Sequence, residues 1–418
     1  MIFVNIYIFK TIRELLPAKT PLIFPLLKHP PEYFLTKKST YVNVCMKWKK
    51  DPYYDSIESI HRSSELKSLI SLKNCIARDP NGCIPISEVS KSGREFGLSI
   101  KVARFMRLHP SVFEEFVGPH YNLPWFRLTP KAVEIDREEK SVYEECKRDL
   151  RLRLKKFIMM SREKRLPLKI IQGLQWYLGL PDDFLENPES HLDGSFVFVE
   201  MEGGERGLAV DCGESFLSVL QKNAVKREVC RGEWNGFEAI PFPLFPSKGL
   251  RLKKKISDWL DEFQNLPYIS PYEDFSHLNP ESDVAEKRVV GVLHELLSLF
   301  VNHAAERKKL FTLKKYLGLP QKVHKAFERH PHIFYLSFRN KTCTAILKEA
   351  YKDKSAMEVH PLSRVRMKYI ELMNQSPVIL KLRRQNNRPF GEEIRKPDLD
   401  LDLDCEDEES SGVGKCSL

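Results

Sequence analysis

Cations in close succession are what phosphate binding needs, and this sequence has four such groups. Lys147, Arg148, Arg151, Arg153, Lys155 and Lys156 crowd one stretch, followed by Arg162, Lys164 and Arg165. Lys248, Arg251, Lys253, Lys254 and Lys255 form a second group. Arg307, Lys308, Lys309, Lys314 and Lys315 form a third, and Lys381, Arg383, Arg384 and Arg388 a fourth. A nucleic acid is held by neutralising phosphates along a track, because affinity grows with the number of counterions released. Aromatic side chains among the bases can stack on unpaired nucleotides. One such group is usually a solvated helix face. Four in one chain weaken that bland reading.

Other chemistry is represented only by near misses. His294-Glu295-Leu296-Leu297-Ser298 lacks the second histidine of a zinc-protease helix and sits in an apolar run. Gly213-Glu214-Ser215 lacks the closing glycine of a nucleophile elbow. There is no phosphate-binding or dinucleotide-binding glycine motif. His109 and His330 each precede a proline and read as polar helix ends. Asp182-Asp183 follows Pro181 and reads as a partner for a helix N-terminus. The expectation is therefore a protein that is not an enzyme, with no cofactor and no metal.

An internal repeat sharpens the binding argument. Gly97–Phe113 aligns without gaps on Gly318–Phe334 at an offset of 221, with seven of seventeen positions identical. These are Gly97/Gly318, Leu98/Leu319, Lys101/Lys322, Val102/Val323, His109/His330, Pro110/Pro331 and Phe113/Phe334. Leu178-Gly179-Leu180-Pro181 is a partial third copy. Each copy reads as a helix ended by glycine, a second helix started at Ser99 or Pro320, a proline stop, and a phenylalanine returning to the core. Leu98/Leu319 and Val102/Val323 point inward. Lys101 with Arg104, and Lys322 with Lys325, then share an outward face at three-residue spacing. Solubility requires exposed charge, but not the same positions twice.

The elements that position these groups are mostly helical. Leu66, Leu69, Ile70 and Leu72 give Ser64–Ala77 an apolar stripe, closed by Asp79-Pro80-Asn81-Gly82. Ser87 is expected to cap the next helix. Val142–Met160 is a long basic amphipathic stretch, and Glu286–Val301 a more apolar one. Phe196–Val199 and Gly207–Val210, around Gly203-Gly204, predict a β-hairpin. The prolines of residues 240–246 predict an extended connector. The expected fold is mainly α, with stacked helix–turn–helix repeats and a small β-hairpin insertion.

The net charge of +10 is unevenly placed. Residues 391–418 hold ten acids and three bases, leaving +17 on the remainder. A body this basic points to an anionic partner. Nine cysteines without a C-x-x-C argue for free thiols rather than a disulfide scaffold or zinc ribbon. No apolar run approaches the roughly 20 residues of a membrane helix, so no membrane insertion is expected. The basic, acid-poor start fits an organelle transit peptide, although it holds a single arginine. The expected organisation is a leader over 1–45, a nucleic-acid-binding body over 46–385 and an acidic, unfolded tail over 386–418.

Several ordered blocks resemble the plant organelle RNA recognition (PORR) domain family. They are Trp48-Lys-Lys-Asp-Pro-Tyr-Tyr-Asp55, Gly118-Pro-His-Tyr-Asn-Leu-Pro-Trp-Phe-Arg-Leu-Thr-Pro130, Trp176-Tyr-Leu-Gly-Leu-Pro-Asp-Asp183 and His330-Pro-His-Ile-Phe-Tyr-Leu-Ser337. His360-Pro361 and Arg366–Met373 fit the family's end, so the resemblance spans roughly residues 46–375. It implies an imported plant protein that binds group II intron RNA and promotes splicing alongside other splicing factors. Among family members the blocks are most similar to a mitochondrial one, with the chloroplast as the alternative compartment. The competing reading is a protein-interaction scaffold within an organellar ribonucleoprotein. The family supplies no agreed RNA-contacting residue. From this sequence the candidates are Lys101, Arg104, Lys322, Lys325, Lys147, Arg148, Arg151, Lys155, Lys156, Lys253, Lys254 and Lys255.

Overall fold

The computed structural model describes residues 50–118, 123–211, 213, 215–227, 238–247, 252–339, 342–352 and 357–386. The expected leader and acidic tail lie outside the described residues. So do Lys248, Arg251 and Arg388.

Two short helices, α1 (Pro52–Asp55) and α2 (Glu58–His61), lead into the first of three similar units. Unit one runs α3 (Ser63–Arg78), β1 (Cys83–Pro85), α4 (Ile86–Val89), a 3-10 turn (Ser90–Ser92), α5 (Val102–Leu108), β2 (Phe113–Val117) and β3 (Pro124–Leu128). Unit two runs α6 (Pro130–Met159), β4 (Arg165–Pro167), α7 (Leu168–Leu178), a 3-10 turn (Asp182–Leu185), α8 (Pro188–His191), β5 (Phe196–Glu200) and β6 (Arg206–Val210).

An inserted segment carries α9 (Val219–Lys226) and α10 (Lys254–Gln264). Unit three follows as α11 (Asp283–Leu299), β7 (Ala304–Glu306), α12 (Arg307–Phe311), α13 (Lys314–Leu317), α14 (His324–Arg329), β8 (Phe334–Ser337) and β9 (Thr344–Leu347). Helix α15 (Glu349–Lys352) and the long α16 (Pro361–Asn386) complete the described chain.

In every unit the last strand is central, with sheet orders β1-β3-β2, β4-β6-β5 and β7-β9-β8, all antiparallel. Helix, strand, three helical pieces and a hairpin in this order give the connectivity of a winged helix–turn–helix, with the turn at the glycine corner. The register repeats as well. Phe113 faces Leu128, Phe196 faces Val210 and Phe334 faces Leu347 at the foot of each hairpin.

The helix–turn–helix corners repeat in detail. Gly97, Gly179 and Gly318 take φ of +70°, +76° and +60°. The next amide reaches back five residues in each case, from Leu98 to Gly93 (2.9 Å), Leu180 to Gln175 (3.0 Å) and Leu319 to Lys314 (3.0 Å). This is the Schellman closure that a left-handed residue permits. Gly82, Lys164 and His303, each just before a unit's first strand, are also left-handed at +64°, +54° and +46°. The partial copy at Leu178–Pro181 is thus a complete unit in space.

Four sequence readings need correction. The fold is mixed, with a three-stranded sheet in each unit, and the expected β-hairpin insertion is the wing of unit two. Helix α6 begins at Pro130, not Val142, because Thr129 Oγ1 caps Ala132 N–H (3.3 Å) and proline suits the first helical position. Ser99 and Pro320 lie in the turns, and Lys101 occupies the cap position of α5. Ser87 lies inside α4, whose cap position is Pro85.

Two large apolar cores result. One joins unit one to Val365, Tyr369, Ile370, Leu372 and Met373 of α16. The other runs through units two and three and the insertion. Among the described residues no helix is long and apolar enough to cross a membrane.

Candidate nucleic-acid interface

The matched bases stand at the head of the second helix of each helix–turn–helix. Lys101 occupies the N-cap position of α5 and Arg104 is in its first turn; Lys322 lies just before α14 and Lys325 within it. All four are exposed. Beneath them Val102 and Val323 are buried at 1% exposure each, so the helices are anchored by the opposite side. Among the described residues none of the four forms an ion pair. In helix–turn–helix proteins this end of this helix approaches the nucleic acid.

The α6 group divides. Arg148 is exposed and Lys147 is partly exposed, 3.8 Å from Glu144. Arg151 Nε donates to His191 O (2.6 Å), and Lys155 lies 3.3 Å from Asp193. Lys156 is buried, donating to Leu217 O (3.2 Å) and pairing with Glu295 (3.4 Å). The buried Glu295 also accepts from Val219 N–H (2.6 Å) and the Tyr272 hydroxyl (2.6 Å), so Lys156 ties unit two to the insertion.

Lys253, Lys254 and Lys255 are exposed at the N-terminus of α10. Cations there oppose the helix dipole, so local helix stability does not account for them. In contrast Lys381, Arg383 and Arg384 lie near the C-terminus of α16, where the dipole favours them.

The blocks that carry the family resemblance form joints. Tyr54 stacks on Tyr335 (4.9 Å between centroids), Asp51 N–H donates to the Tyr335 hydroxyl (3.1 Å), and Ser337 Oγ donates to Asp55 (2.7 Å). The Arg366 guanidinium lies 3.8 Å from the Trp176 ring centroid and donates to its carbonyl (2.8 Å). Trp176 Nε1 donates to Ser63 Oγ (2.8 Å), so one tryptophan links units one and two to α16. His360 bonds Asp149 (3.0 Å), whose carboxyl is held down at about 2. Burial alone would raise it, but the hydrogen bond from His360 and the charge and hydrogen bond of Arg153 prevail.

The catalytic near misses are structural too. His294 Nε2 meets Glu349 at 2.7 Å with both side chains buried. Cys75, Cys83, Cys146 and Cys343 are free thiols, and burial pushes Cys75, Cys146 and Cys343 upward, away from the reactive thiolate. Sequence reasoning passed over Arg288, buried in α11 beside the equally buried Lys287. The available signal was two adjacent cations inside an apolar helix.

The chain matches the plant organelle RNA recognition domain over residues 49–378. It belongs to that family. It is 63% identical over 372 residues to Protein WHAT'S THIS FACTOR 9, mitochondrial, of Arabidopsis thaliana, covering 88% of this chain and 95% of that one. It is 30% identical to Protein WHAT'S THIS FACTOR 1, chloroplastic, of Zea mays, covering 76% of this chain and 64% of the relative. Protein ROOT PRIMORDIUM DEFECTIVE 1 of Arabidopsis thaliana is 29% identical over 78% of this chain and 83% of its own length. No solved structure matches. The mitochondrial address expected from the sequence agrees with the 63% relative, and the relatives named chloroplastic stand at 28–30%.

Proposed function

We propose that this PORR protein binds group II intron RNA in plant mitochondria and promotes its splicing by holding the RNA backbone, without reacting chemistry of its own. The observation that carries the reading is the recurrence, at the same place in two units, of exposed basic side chains that form no ion pair among the described residues. Lys101 and Arg104 in unit one, and Lys322 and Lys325 in unit three, stand where a helix–turn–helix meets nucleic acid. Such contacts position an RNA without reading its sequence. The exposed Lys253 and Lys254 extend the same reading.

The test is the quadruple variant Lys101→Gln, Arg104→Gln, Lys322→Gln, Lys325→Gln. It should bind two unrelated RNAs, one a group II intron transcript, more weakly than the wild type. The salt slope should become shallower by up to roughly 0.7 for each phosphate of single-stranded RNA that is no longer neutralised. Melting should be little changed, since exposed substitutions cost within about 0.5 kcal/mol. Unchanged affinity and slope in a folded variant would sink the reading.

The scaffold alternative draws on Val378 and Leu382, which are exposed at 59% and 53% beyond the packed part of α16. Salt-sensitive binding of the purified chain to protein-free intron RNA decides against it.

A further inference from the structure

Arg288 is 2% exposed, and its Nε and Nη2 have no hydrogen-bond partner among the described residues. Buried guanidinium donors without acceptors are costly, because their hydrogen bonds to water have been lost and not replaced. The two vacant atoms form one edge of the guanidinium fork. Elsewhere in this chain the same edge clamps carboxylates: Arg107 holds Glu115 through Nε (2.8 Å) and Nη2 (2.6 Å), and Arg127 holds Glu114 at 2.9 and 3.0 Å. In Arg288 that edge is unused.

The side chain is held in place. Its guanidinium lies 3.4 Å from the centroid of the Phe275 ring. Phe275 in turn fits against Gly318, where an added Cβ would come within 2.1 Å of the ring. The repeat glycine therefore does two jobs, closing α13 and seating the platform under Arg288. Burial pushes Arg288 down only to about 10, so it stays charged at neutral pH.

Arg288 lines a cavity of about 580 Å³ between α11 and α14, and Lys322 and Lys325 line it too. The cavity's carboxylates are Glu281 and Glu286, and Glu286 is already engaged by Arg329 (2.5 Å) and His330 (3.3 Å). Asp274, the acid acting on Arg288 from further off, accepts instead from Ser276 (2.6 Å). The excess is positive, and it wants a ligand carrying charge as well as two acceptor oxygens. That favours a phosphodiester over a neutral base edge.

We propose that this cavity of unit three is a phosphate-binding subsite, in which the vacant edge of Arg288 receives two oxygens of an RNA phosphodiester delivered across Lys322 and Lys325. The proposal rests on the RNA-binding reading and deepens it, placing one backbone contact inside the protein rather than on its surface.

The experiment uses the full chain, Arg288→Met and Arg288→Lys. Melting is followed with inorganic phosphate or chloride at equal ionic strength, and affinity for a group II intron transcript is measured. Phosphate should raise the wild-type melting temperature more than chloride does, and Arg288→Met should abolish the difference. Arg288→Met should also bind the transcript about tenfold or more weakly, the scale of a lost charged hydrogen bond. Its own melting temperature should be unchanged or higher, because an uncompensated buried charge has gone. Arg288→Lys keeps a charge and loses the fork, so it should recover little of the affinity. If the transcript binds wild type and Arg288→Met alike and phosphate protects neither, the subsite is overturned while the surface reading stands. If phosphate protects the wild type but no RNA binds, the anion site stands, and RNA as its ligand falls together with the proposed function.

Discussion

His330 Nε2 lies 3.3 Å from Glu286 Oε1, and 221 residues earlier His109 Nε2 lies 3.1 Å from Glu65 Oε1, each pair spanning 44 residues of chain. In both units the histidine ends the second helix of the helix–turn–helix and the glutamate lies in the first turn of the unit's first helix. The histidines that precede Pro110 and Pro331 are therefore buried clamps that fix the angle at which the basic helix heads are presented. Unit two has no such clamp. Counting back from Gly179 as from Gly97 and Gly318, Lys147 stands in the glutamate's place.

The clamps predict how stability responds to acid. The hydrogen bond from His109 holds Glu65 down at about 2. Burial alone would raise Glu286, but His330 and Arg329 hold it below the usual glutamate range. A depressed carboxyl contributes stability that is complete above its unfolded value, about 4.3, and is lost as pH falls through its folded value. Melting temperature should therefore drop between about pH 4.3 and pH 2. Glu65→Gln and Glu286→Gln should each lower it at neutral pH and flatten that acid limb. An unaltered limb in the double variant would remove the clamps from the account.

The three corner glycines should not be equally replaceable. An alanine in the left-handed region costs about 1–2 kcal/mol by itself. At Gly97 an added Cβ meets only Ser68 Oγ at 3.8 Å, so Gly97→Ala should cost about that and no more. At Gly179 it would stand 2.5 Å from Val301 Cγ2, and at Gly318 2.1 Å from Phe275. Those two variants should lose a further roughly 1–3 kcal/mol from overpacking. Urea denaturation of the three single variants ranks them, and equal losses would contradict the packing.

Lys73 lies between Asp136 (2.5 Å) and Glu139 (2.7 Å), with all three side chains buried where α3 meets α6. Lys73→Met removes the one cation shared by the two carboxylates, leaving Glu139 to the Tyr369 hydroxyl and Asp136 to Lys140 (2.8 Å) on the exposed side. Breaking a buried pair in this way costs about 3–5 kcal/mol. Denaturant titration should show that loss with unit one affected first, since α16 closes the same core through Tyr369, whose hydroxyl donates to Glu139 (3.2 Å).

What the sequence disclosed, and what it hid, follows from spacing and turn signals. The offset of 221 exposed units one and three because their helices and caps align without gaps. Unit two carries one extra residue between Gly179 and Phe196, which breaks the alignment though not the fold. The wing of unit two was legible because two apolar runs flank Gly203-Gly204, whereas the strands of units one and three, of similar length, have no Gly-Gly pair between them. Phe334–Ser337 is buried throughout, so no polar face marks it as a strand. The basic groups were legible as clusters. Which members face solvent was not, since Lys155 and Lys156 find their carboxylates, Asp193 and Glu295, far away in the chain.

That last distinction gives the sharpest comparison among the candidate ligands. Lys156 and Lys254 belong to similar basic clusters, but one is buried against Glu295 and the other is exposed at the head of α10. Lys156→Met should cost about 1.5–3 kcal/mol, the scale of a lost charged hydrogen bond, because Glu295 then keeps only Val219 N–H and the Tyr272 hydroxyl. Its RNA affinity, measured well below its melting temperature, should stay near wild type with an unchanged salt slope. Lys253→Gln with Lys254→Gln should do the reverse. Melting should move within about 0.5 kcal/mol, or rise slightly as cations leave a helix N-terminus. The salt slope should fall by up to roughly 0.7 for each lysine that meets a phosphate. Melting curves and binding isotherms over one salt series separate the two cases. A Lys156 variant that stays fully stable while losing RNA would place that side chain on the binding surface and overturn the division drawn from burial.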